Sequence, residues 1–224
     1  MRDVSHYGRM VILGSNSKVW KALSNSKYFT DIAVCAIGHA QLKAFVFQPG
    51  DHIWIFSYSR SQYENLALFK ILAEYEFLEI TYISSASTNV TNITRCYSYP
   101  TVKHQAEVAA KEICSARVVT IGLIYSDFHD LPAGRTAATS LNELAKLMRY
   151  SNREEKQDVR LFDMVERPFS GRVEQLIFYW YGKILSTTGR FPCLLRPVDV
   201  CLRVFNMRWY GYLYLSNRLW STMI

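Results

Sequence analysis

The sequence has no apolar stretch of about 18 residues, the length that would mark a bilayer-spanning helix. No segment is therefore read as transmembrane. No signal-peptide pattern precedes the first apolar run, so the chain is expected in the cytoplasm. Cysteine is sparse: Cys35, Cys96, Cys114, Cys193 and Cys201 are scattered, odd in number and at no metal-ligand spacing. They read as small core residues in a reducing compartment, and no metal is expected. No Lys/Arg run or basic-aromatic interleaving marks a nucleic-acid groove, so nucleic acid is not expected as a partner. Acids are scarce as well. Nineteen Asp and Glu stand against 26 Lys and Arg, and the net charge of +7 suits an anionic small molecule or a lipid headgroup.

What is present argues for a folded protein. Half of the 224 residues are hydrophobic and a fifth are charged, which excludes a disordered chain. The length supports one good core and one to two domains.

Short apolar runs alternate with helix-like segments. Met10–Leu13, Ile32–Ile37, His52–Tyr58, Phe77–Ile83 and Ala116–Tyr125 read as buried strands. Gln41–Gln48 reads as a further short element ending in the Pro49-Gly50 turn. Ser61–Tyr75 and Lys103–Cys114 read as helices, the latter with a small-residue face of Ala106, Ala109 and Ala110. This β-α alternation predicts an α/β fold: a Rossmann-like parallel sheet flanked by helices, with right-handed crossovers. After Asp127 the pattern loosens. Ser140–Tyr150, Val173–Ser186 and Pro197–Phe205 read as helices and Val159–Val165 as a strand, Ser140 and Glu143 forming a capping box. The expected division is a core at 9–128 and a small, mostly helical C-terminal region at 129–224, partly interleaved with the core.

The stretch from Tyr82 to Lys103 carries the chemistry. A strand ends in Ser84 and Ser85, a polar loop follows, and Tyr99 and Lys103 then stand four apart at the head of a helix, hence on one face. An ammonium favours a nearby phenolate, and a serine hydroxyl can hold a substrate oxygen while the tyrosine gives or takes its proton. The pair alone is weak, since Tyr179 and Lys183 repeat the spacing without such surroundings.

The order strand, Ser-Ser, loop, Tyr-x-x-x-Lys, helix, strand resembles the extended branch of the short-chain dehydrogenase/reductase superfamily, whose members act on nucleotide sugars. YPTVKHQAE is similar to its tyrosine, small residue, lysine and later glutamate. The resemblance implies Ser85, Tyr99 and Lys103 as catalytic residues. It implies NAD or NADP at Gly14, Ser15, Asn16, Ser17, Lys18, Ser57, Asn65 and Lys103, and a substrate lid in the C-terminal region. The glycine turn departs from the family pattern: Gly14 remains, but Ser17 and Trp20 occupy the second and third glycine positions. Trp20 either displaces the helix or turns its ring outward. No acid follows the second strand to read a ribose; Gly38 and His39 stand there, so NAD and NADP are not distinguished.

Phe191–Ile224 holds Arg196, Arg203, Arg208 and Arg218 against the single acid Asp199, with Phe205, Trp209, Tyr210, Tyr212, Tyr214 and Trp220. Three readings stand: peripheral contact with the inner face of a membrane, an arginine clamp on a nucleotide diphosphate, and a packing or homodimer surface. The functions this leaves are an NAD(P)-dependent epimerase, reductase or dehydratase on a nucleotide-linked or polyprenyl-linked sugar, in surface polysaccharide synthesis, and a non-catalytic relative that binds a partner. The same tyrosine used without redox chemistry, in an elimination or isomerisation of a phosphorylated sugar, is a third.

Overall fold

In the computed structural model the described residues are 9–180, without 26, 58, 60, 91–97, 151–156, 174, 177 and 178. They form two compact units.

The first unit takes residues up to Ser84 together with Val102–Thr120 and Leu141–Leu161. In chain order it contains β1 (Met10–Leu13), α1 (Lys18–Ser24), β2 (Val34–Ile37), β3 (His52–Ile55), α2 (Gln62–Ala73) and β4 (Glu79–Ser85). Helix α3 (Ser98–Cys114) and β5 (Arg117–Ile121) follow. The remaining elements are β6 (Leu123–Tyr125), β7 (Gly134–Ser140), α4 (Leu141–Tyr150), β8 (Val159–Leu161) and β9 (Asp163–Arg167). The sheet of the first unit runs β2-β1-β3-β4-β5-β8 and is parallel, as the alternation predicts.

Both faces are covered at the centre of this sheet, so β1 and the Ile53–Ile55 part of β3 are apolar throughout. Val11 and Leu13 lie in register with Ile53 and Ile55, and these with Ile80 and Tyr82. This face packs on Leu68, Phe69 and Leu72 of α2 and on Ala106, Ala109 and Ala110 of α3. The alternate residues Met10, Ile12, Trp54 and Val119 are buried too. Right-handed crossovers put α1 on that second face, because the strand order moves one way from β1 to β2 and the other way from β3 to β5. Helix α4 packs beside α1. Its Arg149 clasps Asp31 at 2.5 and 2.6 Å and the Tyr28 carbonyl at 2.9 Å.

Local chemistry sets several boundaries. Ser61 caps α2, its hydroxyl accepting from the Glu64 amide at 3.5 Å. The short element expected at Gln41–Gln48 is a 3-10 helix at His39–Ala44, with the Gln41 side chain accepting from the Gly38 amide at 2.8 Å. The sheet order therefore reverses at β1, between β2 and β3.

The second unit takes Ser85–Thr101, Ile121–Ser140 and 162 onward. Its sheet runs β6-β7-β9, with β6 parallel and β9 antiparallel to β7. Ala86, Ala137 and Phe162 form its core, with Met164 against them. The single strand expected at Ala116–Tyr125 is two strands in two sheets. The break is Gly122, where a Cβ would collide with the Ala137 carbonyl and whose amide donates to Thr139 Oγ1 at 2.8 Å. The strand expected at Val159–Val165 likewise divides at the buried Phe162 into β8 and β9. Strand β7 has no counterpart in the sequence reading. Residues 172–180 contain helical positions, in keeping with the helix expected from Val173; Pro197–Phe205 lies outside the described residues.

Candidate functional site

Ligands of open parallel sheets lie beyond the strand C-termini where strand order reverses. In the first unit that is the end of β1. Gly14 follows β1 with φ +111°, a conformation that side-chain-bearing residues rarely adopt. A Cβ there would stand 2.8 Å from the Ser57 Cβ. The amides of Gly14 and Ser15 both reach the Ile37 carbonyl, at 2.9 and 3.1 Å, and the Ser17 amide closes the turn on the Gly14 carbonyl at 2.8 Å. Asn16 lies at the tip of this turn and Lys18 opens α1.

The two departures from the glycine pattern are resolved. Ser17 is the N-cap of α1, its hydroxyl accepting from the Trp20 amide at 3.5 Å. The Trp20 ring turns inward and is 7 % exposed, so of the two alternatives expected, a displaced helix or an outward ring, the outward ring is not found. It packs edge-on to Phe29 at 5.7 Å and tilted to Phe56 at 6.3 Å. The large side chain therefore occupies the core and leaves the turn clear. A left-handed glycine and a small capping residue, with the Trp20 ring of the third position turned into the core, fit the pyrophosphate of a dinucleotide. At the ribose position the fit is different. His39 Nε2 is 2.6 Å from Ser57 Oγ, which donates to the Leu13 carbonyl at 3.3 Å. Burial lowers the pKa of His39 against the field of Glu64. Spacing gave no hint of this histidine-serine pair, whose members are separated by a strand.

Asn65 is buried on α2. Its side-chain oxygen accepts from the Ser59 amide at 2.7 Å and its nitrogen donates to the Ser59 carbonyl at 2.9 Å. Both ends of the amide pin the loop after β3.

Lys103 is 4 % exposed. Its Nζ donates to the Ile83 carbonyl at 2.6 Å and lies 4.4 Å from the Tyr82 ring centroid. Burial lowers its pKa to about 7, and the carboxylate of Glu107 acts in the opposite direction. The two serines at the end of β4 differ. Ser84 is committed to Glu107, its hydroxyl donating to Oε2 at 2.6 Å. In the second unit, the Ser85 hydroxyl accepts from the Ser87 amide at 3.3 Å and the Ser87 hydroxyl at 3.0 Å. Tyr99 stands in the first turn of α3, 41 % exposed, one turn before Lys103 on the same helix. Tyr99 falls in the second unit and Lys103 in the first, and both belong to α3.

A pocket of about 460 Å³ also lies in the first unit, lined by His52, Thr81, Tyr75, Phe77, Cys114 and Arg117 among others. These residues lie in the first half of β3, β4 or β5, between α2 and β4, or at the end of α3, so the pocket is at the end of the sheet remote from Gly14. The Cys114 thiol donates to the Phe69 carbonyl at 3.1 Å, and burial pushes its pKa up to about 11. Among the described residues no cluster of His, Cys, Asp or Glu suits a metal, and no helix is long and apolar enough to cross a membrane. The arginine-aromatic stretch at Phe191–Ile224 lies outside the described residues.

No family model matches the sequence, and no curated protein matches it. Solved structures do resemble the fold. An NAD-dependent NDP-hexosamine 5,6-dehydratase involved in tunicamycin biosynthesis superposes with a TM-score of 0.54 at 8% identity, over 70% of this chain and 77% of its own. A dTDP-4-dehydrorhamnose reductase from Bacillus anthracis, in complex with NADP, gives 0.53 at 11% identity, over 80% of this chain and 82% of its own. A UDP-N-acetylglucosamine 4-epimerase from Bacillus cereus gives 0.51 at 8% identity, over 77% and 85%. At such identities the likeness is one of fold, and the chain shares the Rossmann-like α/β fold of these enzymes.

Proposed function

We propose that the chain is an NAD(P)-dependent sugar-modifying enzyme of the epimerase, reductase or dehydratase type. Its substrate is a nucleotide-linked or polyprenyl-linked sugar, and its place is surface polysaccharide synthesis. The observation that carries this reading is the Gly14 turn, kept clear at the strand-order reversal by the inward Trp20. Gly14, Ser15, Asn16, Ser17 and Lys18 would hold the pyrophosphate, with Ser57 and Asn65 shaping the crevice beside it. The dinucleotide supplies the hydride chemistry. Ser85 holds the reacting oxygen, being the serine that Glu107 does not engage. Tyr99 gives or takes the proton, and Lys103 stabilises the phenolate left behind. A peripheral membrane contact through the Phe191–Ile224 arginines and aromatics would suit the polyprenyl-linked substrate.

The second reading, a non-catalytic binding subunit, draws on the His39–Ser57 pair where the family reads a ribose. Titration with NADH and NADPH, followed by nicotinamide fluorescence, separates the two. Saturation in the micromolar range is expected of the enzyme, with Tyr99→Phe binding cofactor normally but turning over no sugar nucleotide. Absence of binding at millimolar cofactor, with no dinucleotide released on denaturation, overturns the redox assignment.

A further inference from the structure

Helix α3 carries Lys103, Glu107 and Lys111 at four-residue spacing, hence on one side. The two basic residues are in different surroundings. Lys111 is partly exposed, 2.5 Å from Asp158 and 3.8 Å from Glu107. Lys103 is enclosed, and a neutral carbonyl and an aromatic ring are among its contacts. A buried ammonium is stable only when opposite charge reaches it.

Glu107 is placed to supply that charge, and it is not a loose surface acid. Its side chain is 16% exposed, and its Oε2 accepts from Ser84 at 2.6 Å. Ser84 follows Ile83, whose carbonyl holds Lys103. Consecutive residues of β4 thus receive consecutive turns of α3, one through its ammonium and one through its carboxylate. Behind Glu107, Lys111 is held by Asp158, which also accepts from the Val118 amide at 3.0 Å. On β4 the titratable neighbour of Lys103 is the Tyr82 phenol, and the Ser84 hydroxyl belongs to the residue after its Ile83 partner. The residues of α2 and β5 that share a buried cluster with Tyr82, among them Leu68, Phe69, Leu72 and Val118, are apolar.

We propose that Glu107 is a positioning residue for Lys103: its anchored carboxylate keeps the enclosed ammonium charged while the paired contacts to Ile83 and Ser84 lock α3 to the end of β4. The proposal deepens the acid-base reading given above and rests on it for its meaning in catalysis. Its physical content can be tested on the protein without substrate or cofactor.

The protein is labelled with carbon-13 in lysine and titrated by NMR from about pH 5 to about pH 10. The Lys103 signal is the one missing from Lys103→Arg. Glu107→Gln keeps an acceptor for Ser84 and removes only the charge, so a purely structural role would leave the titration unmoved. The expected result is a Lys103 midpoint lower by at least about half a pH unit, roughly a threefold weaker hold on the proton. Ser84→Ala, which releases the carboxylate from its anchor, should lower the midpoint less and in the same direction. A midpoint in Glu107→Gln within about 0.2 of the unmodified protein overturns the proposal. If Glu107→Gln does not fold, an unchanged midpoint in Ser84→Ala overturns it instead. Failure of cofactor binding would remove the enzyme reading yet leave this shift standing, so the two failures are distinguishable.

Discussion

The ammonium of Lys103 has almost no contact with water, and its proton affinity falls to about 7 as a result. In the unfolded chain a lysine titrates near 10.4. Between those values the unfolded state binds more protons than the folded one, so stability must rise with pH. The stabilisation is complete above the unfolded value and is lost as pH falls toward 7. Cys114 acts with the opposite sign: its thiol, raised to about 11, holds a proton that the unfolded chain releases near 9, so stability falls above that point. The window from about 7 to about 9 therefore belongs to Lys103. Urea unfolding across it should show a gain on the order of 1 kcal/mol per pH unit, and Lys103→Met should flatten that slope. An equal slope in the variant would mean that the ammonium is better solvated than its surroundings imply. The spacing of Tyr99 and Lys103 was legible in the sequence because four residues make one helical turn. The commitment of Ser84 was not, because its partner is 23 residues away and the bond depends on how α3 lies on β4.

At the scale of elements, two residues named from the cofactor region hold structure together. Trp20 was ambiguous in the sequence, where helical periodicity gave its position but not the slot between Phe29 and Phe56 that receives its ring. Asn65 serves as a splint for the loop after β3. Asn65→Ala leaves the Ser59 amide and carbonyl without those partners, and a loss of about 2 kcal/mol is expected in urea unfolding. A loss below about 0.5 kcal/mol would show that the loop finds other partners easily. Apolar runs located β1 to β5 well, since a strand buried on both faces is apolar throughout. Strand β7, Gly134–Ser140, was illegible because it is built from Gly, Arg, Ala, Thr and Ser with no run of large apolar residues. Gly122 gave no sign of its break because the obstacle is the Ala137 backbone, a contact across the second sheet.

The whole molecule departs from its linear order. Its two units are each assembled from separated segments, and the chain leaves the first at Ser84 and again at Thr120, returning each time. Sequence patterning reads neighbours, so it recovered the α/β class and the parallel sheet but placed α4 and β8 outside the core strand order.

The short second strand at the margin of that order has a consequence for time rather than energy. Among the described residues, β2 pairs with β1 alone, and Val34, Cys35 and Ala36 are partly or fully open to solvent. Val11, Ile12 and Leu13 of β1 are wholly enclosed between two neighbours. Amide protons should therefore leave the sheet from its margin inward, those of Val34–Ile37 exchanging with deuterium at least about tenfold faster than those of Val11–Leu13. The crevice beyond Gly14 has one wall on each side of that gradient, a fast-breathing β2 and a still β3, so the clock on which a ligand enters would be set by the edge.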